Sequence, residues 1–340
     1  MADEARRVAV GVDVGNTKTV AVACDLEGRV RGIGRGGPGN WESLGEEAAA
    51  RVMTEVAEQA ARMAGLGRDA IISLHVGAAG IDWPDDVPRM RRALHSAGWA
   101  CPLTIENDSF LTVRAGSPEG HGIGVTAGTG ICAAIVLPDG EKYFYGGFTD
   151  LGGGYSTSTY AFQAVVRAAD GRGPETALTK AVLDETGHSS TWDLVYSVHR
   201  GGKQVPAPLL NRVLFATAAE GDPVAVEIVS RFGVELGLCA TNLIRRYHLT
   251  RSDPAVVAAG SRFTRTGPLL FEVFRLEVLK AAPRARVIRS DHPPVMGAVR
   301  GALAASGRDS AQVWETAKRT ALETGWFRED MGEQGEESGA

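Results

Sequence analysis

The stretch Gly11-Val12-Asp13-Val14-Gly15-Asn16-Thr17-Lys18-Thr19 decides the fold of this chain. Valines alternate with other residues on both sides of its centre, which is the pattern of two half-buried strands joined by a tight turn. Turns made of Gly, Asn and Thr gather backbone N–H groups into a concavity that suits phosphate oxygens. We therefore predict a phosphate-binding turn formed by Gly15, Asn16, Thr17 and Lys18.

A second turn of the same kind is predicted at Gly128-Thr129-Gly130, between the apolar runs Gly122 to Thr126 and Ile131 to Leu137. The two glycines permit close approach of the backbone to a phosphate, and Thr129 adds a hydroxyl. A hairpin turn without a ligand can have the same composition, so either turn alone would favour that simpler interpretation. The two turns together favour a protein that binds a polyphosphate with both.

Two aspartates stand where phosphate chemistry would need them. Asp13 lies on the strand that enters the first turn, where a carboxylate can hold a Mg²⁺ ion that bridges phosphate oxygens. Asp108 follows the predicted strand Leu103 to Ile105 and precedes a predicted helix. It can cap that helix, or it can act as a general base that accepts the proton of an attacking hydroxyl. Its place at the end of a strand, near the predicted domain junction, favours the general base.

The composition is that of a globular chain with more than one core. The chain has 340 residues, 44% of them apolar and 23% charged, with a net charge of −5, and its basic residues are scattered rather than clustered for nucleic acid. No apolar run reaches the roughly 18 residues of a membrane span, and the charged N-terminus does not resemble a signal peptide. We expect a cytoplasmic protein with reduced cysteines, because its four cysteines lie far apart.

The predicted elements repeat one order. The first half has three strands, a helix over residues 43–64, and then two further strands, each followed by a helix, which fits a mixed sheet covered by helices. The second half starts again with strands around the second turn and continues mainly with helices. We predict a first domain at 1–117, a second at 118–305, a helix at 306–324 that returns to the first domain, and a disordered acidic tail at 325–340.

These motifs resemble those of the N-acetylglucosamine kinase and BadF/BadG/BcrA/BcrD ATPase group, within the actin–hexokinase–Hsp70 superfamily. The resemblance covers residues 8 to about 305, with Asp13–Thr19 and Ala127–Cys132 as the phosphate motifs and Val256–Ser261 as the adenosine motif. It implies an α/β fold of two actin-like, ribonuclease H-like lobes, each a mixed β-sheet flanked by helices, with an interdomain cleft.

The resemblance also implies a reaction and a set of site residues. The reaction is transfer of the γ-phosphate of ATP, with Mg²⁺, to the C6 hydroxyl of an amino sugar such as N-acetylglucosamine or glucosamine. Asp108 would be catalytic, Asp13 would hold the metal, and Gly260 and Ser261 would flank the adenosine. The sugar would contact Asn40, Trp41, Gly80, Asp108, Gly147 and Asp150. Relatives of this kind are often homodimers, and no nucleic acid or membrane is implied.

One loop departs from the family pattern. The family continues from Gly-Gly-Trp to Leu-Gly-Asp-Glu-Gly-Ser, whereas this chain has Gly146-Gly147-Phe148 followed by Leu151-Gly152-Gly153-Gly154. The acidic pair that helps to bind the sugar in the family is therefore missing, and Asp150 could take its place from two residues earlier. This departure leaves the identity of the sugar more open than the phosphoryl transfer.

Two alternatives stay open at the level of sequence. The first is an ATPase that drives another event, as in the activators of acyl-CoA dehydratases, although the cysteines here lack the pattern that holds an iron–sulfur cluster in those proteins. The second is a nucleotide- or sugar-binding regulator without turnover, which the missing acidic pair would suit. The presence of Asp13, Asp108 and both turns favours an enzyme over the regulator.

Overall fold

The computed structural model describes residues 6–128, 130–146, 154–201, 204–264 and 266–327. Its chain forms two compact units. Unit 1 consists of Met1–Gly124, Ala134–Tyr143 and Ser290–Ala340, and unit 2 consists of Val125–Ala133 and Phe144–Arg289. The two units are defined by how densely the residues contact one another. They do not test the predicted domain division at residue 117, which stays a prediction.

The strands and helices have the following bounds. The strands are β1 (Val8–Val14), β2 (Thr19–Asp25), β3 (Val30–Gly36), β4 (Ile71–Ala78), β5 (Leu103–Asn107), β6 (Gly122–Ala127), β7 (Ile131–Val136), β8 (Lys142–Gly146), β9 (Ala255–Ala259) and β10 (Arg286–Arg289). The helices are α1 (Trp41–Leu44), α2 (Glu46–Met63), α3 (Asp86–Ser96), α4 (Ser109–Gly116), α5 (Gly154–Ala169), α6 (Ala177–Thr186), α7 (Thr191–Gly201), α8 (Ala207–Ala219), α9 (Pro223–Arg246), α10 (Ser261–Thr264), α11 (Leu269–Ala281), α12 (Val295–Ala305) and α13 (Ala311–Glu323).

The first sheet has five strands in the order β3-β2-β1-β4-β5. β1 pairs antiparallel with β2, which confirms the hairpin predicted around the first turn, and β2 pairs antiparallel with β3. β1, β4 and β5 are parallel, and their register aligns Val14 with Ala78 and Ala78 with Asn107. The carboxyl ends of three strands therefore meet at one edge, which is where open α/β sheets usually bind ligands.

Helices bury both faces of this sheet. On one face α2 presents a row of alanines to the sheet, and a Cβ on Gly34 of β3 would strike the Val56 carbonyl. On the other face α12 lies so close that a Cβ on Gly11 of β1 would strike the Val299 backbone. Small residues at these contacts let the helices approach the strands closely, so they set the positions of the strand ends.

The helix predicted over residues 43–64 is two helices in the structure. α1 ends at Leu44 and α2 starts at Glu46, because Gly45 between them has a φ of 83°. Glycine adopts this left-handed conformation without the steric penalty that a Cβ brings. The predicted helix is therefore confirmed as α2, and its start at Glu46 instead of residue 43 reflects the conformation of Gly45.

The second sheet has five strands in the order β10-β9-β6-β7-β8. Counted by order along the chain from β6, this is the same arrangement as in the first sheet, which confirms the predicted repeat of architecture. In unit 2, α9 starts as the sequence predicts, with Pro223 as its first residue and the Asp222 side chain accepting the Ala225 N–H at 2.9 Å. None of the helices in the described ranges combines the length and the apolar character that a bilayer crossing demands.

Candidate functional site

The turn between β1 and β2 has an exposed polar tip. The Gly15 N–H donates to the Lys18 carbonyl at 2.9 Å, which closes the turn. Asn16, Thr17 and Lys18 are exposed, and Asp13 is half-buried near the end of β1. A carboxylate beside an exposed amide, hydroxyl and ammonium group supplies the kinds of contact that a phosphate with a divalent cation needs.

The Asn40 side chain connects this turn to the start of α1. Its Nδ2 donates to Asn16 Oδ1 at 2.7 Å, and its Oδ1 accepts the Glu42 N–H at 2.8 Å and so caps α1. The neighbouring Gly39 N–H donates to the Gly15 carbonyl at 3.1 Å. Asn40 is buried, and its polar groups are used to hold the exposed turn residue Asn16 in place.

Trp41 holds the segment that follows β4. Its indole N–H donates to the Gly80 carbonyl at 2.5 Å, and the Arg89 guanidinium lies 4.5 Å from the centre of its ring. Gly80 has a φ of 82°, and a Cβ there would strike the Asn40 side chain. The structure thus brings Asn40, Trp41 and Gly80 together beside the first turn, and their contact with a sugar stays a prediction.

Asp108 lies between the end of β5 and the start of α4, at the same sheet edge. The Asp108 side chain makes no capping hydrogen bond, whereas Asn107 Oδ1 accepts the Ser109 N–H at 2.9 Å. The structure therefore gives no support to the capping role that the sequence left open for Asp108. Burial, and after it the negative charge of Asp82, raises the pKa of Asp108 to about 6.

Asp82 and Asn107 lie beside Asp108 in the candidate site, and the sequence analysis did not identify them as site residues. Asn107 Nδ2 donates to Asp82 Oδ1 at 2.8 Å, and this bond joins the segment after β4 to the segment after β5. Burial raises the pKa of Asp82, and the charges of Glu42 and Asp86 raise it further. The signal that could have found both residues is the rule that parallel strands gather their carboxyl ends at one edge.

Unit 2 brings the second turn and the predicted adenosine motif together. The Gly128 N–H donates to the Gly130 carbonyl at 2.9 Å, which closes the turn between β6 and β7. Gly260, directly after β9, has a φ of 93°, and a Cβ there would strike the Ala127 carbonyl. Gly130 and Ser261 are exposed. The predicted site residues Thr129, Gly147 and Asp150 lie outside the described residues.

The donor set fits a metal that is bound together with phosphates. Within the described ranges, no cluster of three or more His, Cys, Asp or Glu side chains could hold a metal ion by itself. Mg²⁺ commonly uses only one or two protein carboxylates and takes its other ligands from substrate phosphates and water. A single aspartate, Asp13, beside a phosphate-type turn matches that requirement.

Two sheets with one strand order, each with a glycine-containing turn after its first strand, define the actin-like class of ATPase folds. The chain belongs to the BadF/BadG/BcrA/BcrD ATPase family, whose sequence profile matches residues 10–305.

Named relatives of this chain include two bacterial kinases. The chain is 25% identical over 297 residues to an N-acetylmuramic acid/N-acetylglucosamine kinase of Clostridium acetobutylicum, which covers 85% of this chain and 96% of that protein. It is 27% identical over 235 residues to a glucosamine kinase of Vibrio cholerae, which covers 67% of this chain and 77% of that protein. The chain therefore spans most of both relatives.

Solved structures share the fold. The crystal structure of a candidate N-acetylglucosamine kinase from Chromobacterium violaceum is similar with a TM-score of 0.62 at 22% identity, and covers 88% of this chain and 99% of that one. A glucokinase of the ROK family from Streptomyces griseus, solved with glucose and AMPPNP, has a TM-score of 0.55 at 20% identity, and covers 87% and 98% of the two chains. At these identities the likeness shows the two-sheet fold.

Proposed function

We propose that this ATP-dependent kinase phosphorylates an amino sugar, with N-acetylglucosamine and glucosamine as the first candidates and the C6 hydroxyl as the acceptor. The observation that carries the proposal is the Asp108 carboxylate, which lies at the sheet edge where β1, β4 and β5 end and has a pKa of about 6. The names of the relatives support the class of sugar.

Asp108 is the general base of the proposed reaction. A pKa of about 6 leaves the carboxylate ionised at neutral pH, yet basic enough to accept a proton as the sugar hydroxyl attacks the γ-phosphorus. General-base catalysis is most effective when the pKa of the base lies near the working pH. The negative charge of Asp82, which helps to raise the pKa, thus also improves the base.

The residues of the two turns bind the phosphates of ATP in this proposal. Gly15, Asn16, Thr17 and Lys18 contact them from the first turn, and Gly128, Thr129 and Gly130 from the second, while Gly260 and Ser261 contact the adenosine. Asp13 is the residue that would hold Mg²⁺, which when bound neutralises charge on the phosphates. Phosphoryl transfer depends mainly on positioning and charge neutralisation, which these groups supply.

The sugar is assigned to the residues around Gly80. The Trp41 indole holds this segment by a hydrogen bond to the Gly80 carbonyl, and the Asn40 side chain, which is bonded to Asn16, packs against Gly80. A surface held in this way keeps its shape. We assign Gly147 and Asp150 to the same substrate on the basis of the resemblance. Asp150 then takes the place of the missing acidic pair.

The test is ATP consumption with a panel of sugars. ADP release is measured with N-acetylglucosamine, glucosamine, N-acetylmuramic acid, glucose and no sugar, each with and without Mg²⁺. The proposal expects release that depends on Mg²⁺ and is stimulated most by an amino sugar. ADP release that no sugar stimulates would replace the proposal with an ATPase, and binding of nucleotide without any release would replace it with a regulator.

A further inference from the structure

The Glu106 carboxylate in unit 1 is deeply buried and has three nitrogen-bearing partner side chains. The Glu106 side chain, on β5, is 1% exposed. Its Oε1 lies 2.9 Å from His75 Nε2 and 2.8 Å from Arg114 Nε, and its Oε2 lies 3.2 Å from Arg114 Nη2 and 2.7 Å from Lys142 Nζ. These partners come from β4, α4 and β8, so one carboxylate ties three other elements to β5.

Glu106 carries a negative charge in this environment. Burial alone would raise its pKa, but the hydrogen bonds and charges of His75 and Arg114 outweigh burial and hold the pKa well below its usual range. An ionised carboxylate only accepts hydrogen bonds, so His75 Nε2 is the donor in its bond to Glu106. All the polar contacts of the group are therefore charge-assisted or directed at a full charge, and such contacts have well-defined geometry.

The Glu106–Arg114 pair spans the segment that carries Asp108. Glu106 is two residues before Asp108 on β5, and Arg114 is six residues after it on α4. The side chain of Arg114 binds Glu106 through two nitrogens, which fixes direction as well as distance between the strand and the helix. The turn formed by Asn107 and Asp108 is thus closed by a salt bridge between the two elements that it connects.

Lys142 adds a second constraint on the same segment. Its ammonium donates to Glu106 Oε2 and lies 4.9 Å from the centre of the Phe110 ring in the first turn of α4. Lys142 also begins β8, the strand that leads to the residues assigned above to the sugar. Contacts from one lysine therefore reach residues on both sides of Asp108.

We propose that Glu106 is a positioning residue for Asp108, acting through its contacts with Arg114 and Lys142. This inference rests on the proposed role of Asp108 as general base. Apolar side chains can often replace a buried ion pair without loss of stability, so stability alone does not call for a buried charge here. The orientation of Asp108 gives a reason for the buried charge, because a misplacement of about 1 Å at a reacting group can lower a rate about 100-fold.

Lys142→Met is the first test, because this side chain is 38% exposed and its loss leaves Glu106 paired with Arg114 and His75. We expect kcat to fall about tenfold, while the KM for ATP changes by less than about twofold. Lys142→Arg keeps a cationic donor and should restore most of kcat. The matched control is Lys180→Met, which removes an exposed lysine that pairs with Asp184 in unit 2, and it should keep wild-type kcat.

Glu106→Gln tests the carboxylate itself. The amide replaces one acceptor by a donor that faces Arg114 or Lys142, so we expect a fall in kcat of about 100-fold, with ATP binding retained. Glu185→Gln is the control, because Glu185 also accepts two hydrogen bonds from one arginine, Arg212, at an exposed site. If Glu106→Gln does not fold, the pair Lys142→Met and Lys142→Arg decides.

Amide hydrogen exchange gives a readout that does not depend on turnover. The proposal expects faster exchange at residues 107–112 in Lys142→Met than in wild type, and no change there in Lys180→Met. Wild-type kcat in Lys142→Met, or unchanged exchange at residues 107–112, would overturn the positioning role. Should the wild-type protein show no sugar-dependent turnover, the proposed function fails, and the exchange result still decides whether these contacts hold the Asp108 segment.

Discussion

Asp108 is the residue on which the proposed chemistry depends most. Its substitution by Asn keeps the shape of the side chain and removes its ability to accept a proton. We expect Asp108→Asn to lower kcat by about 10²–10⁴-fold, which is the usual contribution of a general base, while ATP still binds. Steady-state kinetics together with nucleotide titration of the variant measure both quantities, and near-normal turnover would remove Asp108 from this role.

The raised pKa of Asp108 predicts a pH dependence of activity. Only the ionised form can act as a base, so kcat/KM for N-acetylglucosamine should rise with pH up to about 6 and then level off. N-acetylglucosamine is the suitable substrate because it has no amine that titrates in this range. The residual activity of Asp108→Asn is the control, because the nucleotide also titrates in this pH range. If kcat/KM of the variant fell at low pH in the same way as that of the wild type, the assignment of this pKa to Asp108 would be contradicted.

The same pKa predicts that the ionised Asp108 carboxylate lowers the stability of the folded protein. Because its pKa rises from 3.8 to about 6 on folding, the stability that Asp108 contributes is fully present below pH 3.8 and is lost as the pH rises through about 6. Asp108→Asn should therefore raise the free energy of unfolding at pH 8 by on the order of 1–2 kcal/mol. This value is smaller than the full pKa shift would give, because Asp108 is partly exposed and water screens its charge. In urea titrations this gain should shrink between pH 8 and pH 4.5, and a gain that is independent of pH would contradict it.

At the scale of single residues, the sequence identified the candidate site residues that lie within short motifs. Asn16 and Asp13 belong to one hairpin, and their neighbourhood follows from local patterns. The sequence did not predict Asp82 or the partners of Glu106, because these residues are far from one another along the chain. Asp82 is 25 residues from Asn107, and His75 and Lys142 are 31 and 36 residues from Glu106. The pairs of Asp82 with Asn107 and of His75 with Glu106 depend on the register of β4 and β5, and the pair of Lys142 with Glu106 depends on the position of β8, none of which composition and spacing reveal.

At the scale of elements, the contact between α12 and α4 is the most sensitive to size. Gly297 of α12 lies so close to α4 that a Cβ would strike the Leu111 carbonyl. Gly→Ala inside a helix normally stabilises by about 1 kcal/mol, but Gly297→Ala should instead lower the free energy of unfolding by about 1–3 kcal/mol because the backbones must separate.

Chemical denaturation of Gly297→Ala measures this effect. The control is Gly201→Ala at the end of α7, where, among the described residues, the nearest atom to an added Cβ is the Ser197 hydroxyl oxygen at an ordinary 3.7 Å. The control should be neutral or slightly stabilised. A stabilised Gly297→Ala would mean that α12 and α4 are further apart than the structure shows.

Most elements could be predicted from the sequence because each follows a local rule. The first hairpin follows from alternating valines, and α9 follows from its Asp222 cap and Pro223. The break between α1 and α2 at Gly45 could not be predicted in the same way. Its cause is a backbone conformation, and the glycine that adopts it lies in a segment whose apolar spacing suits one helix.

At the scale of the whole molecule, the repeat of architecture was predictable and the sugar was not. The two strand–turn–strand segments indicated two similar sheets, and the structure adds that both sheets have the same strand order. Sugar recognition depends on a few side chains, and the loop that the family uses for it departs from the family pattern at Leu151–Gly154. The identity of the substrate therefore has to come from chemistry.

The measurement that tests the central claim most directly is identification of the phosphorylated product. Wild-type protein and Asp108→Asn are incubated with ATP, Mg²⁺ and ¹³C-labelled N-acetylglucosamine or glucosamine, and the products are followed by NMR. The account predicts that wild type forms a sugar 6-phosphate together with one ADP, and that Asp108→Asn forms it far more slowly. ADP accompanied only by inorganic phosphate, or equal rates in the two proteins, would contradict the account.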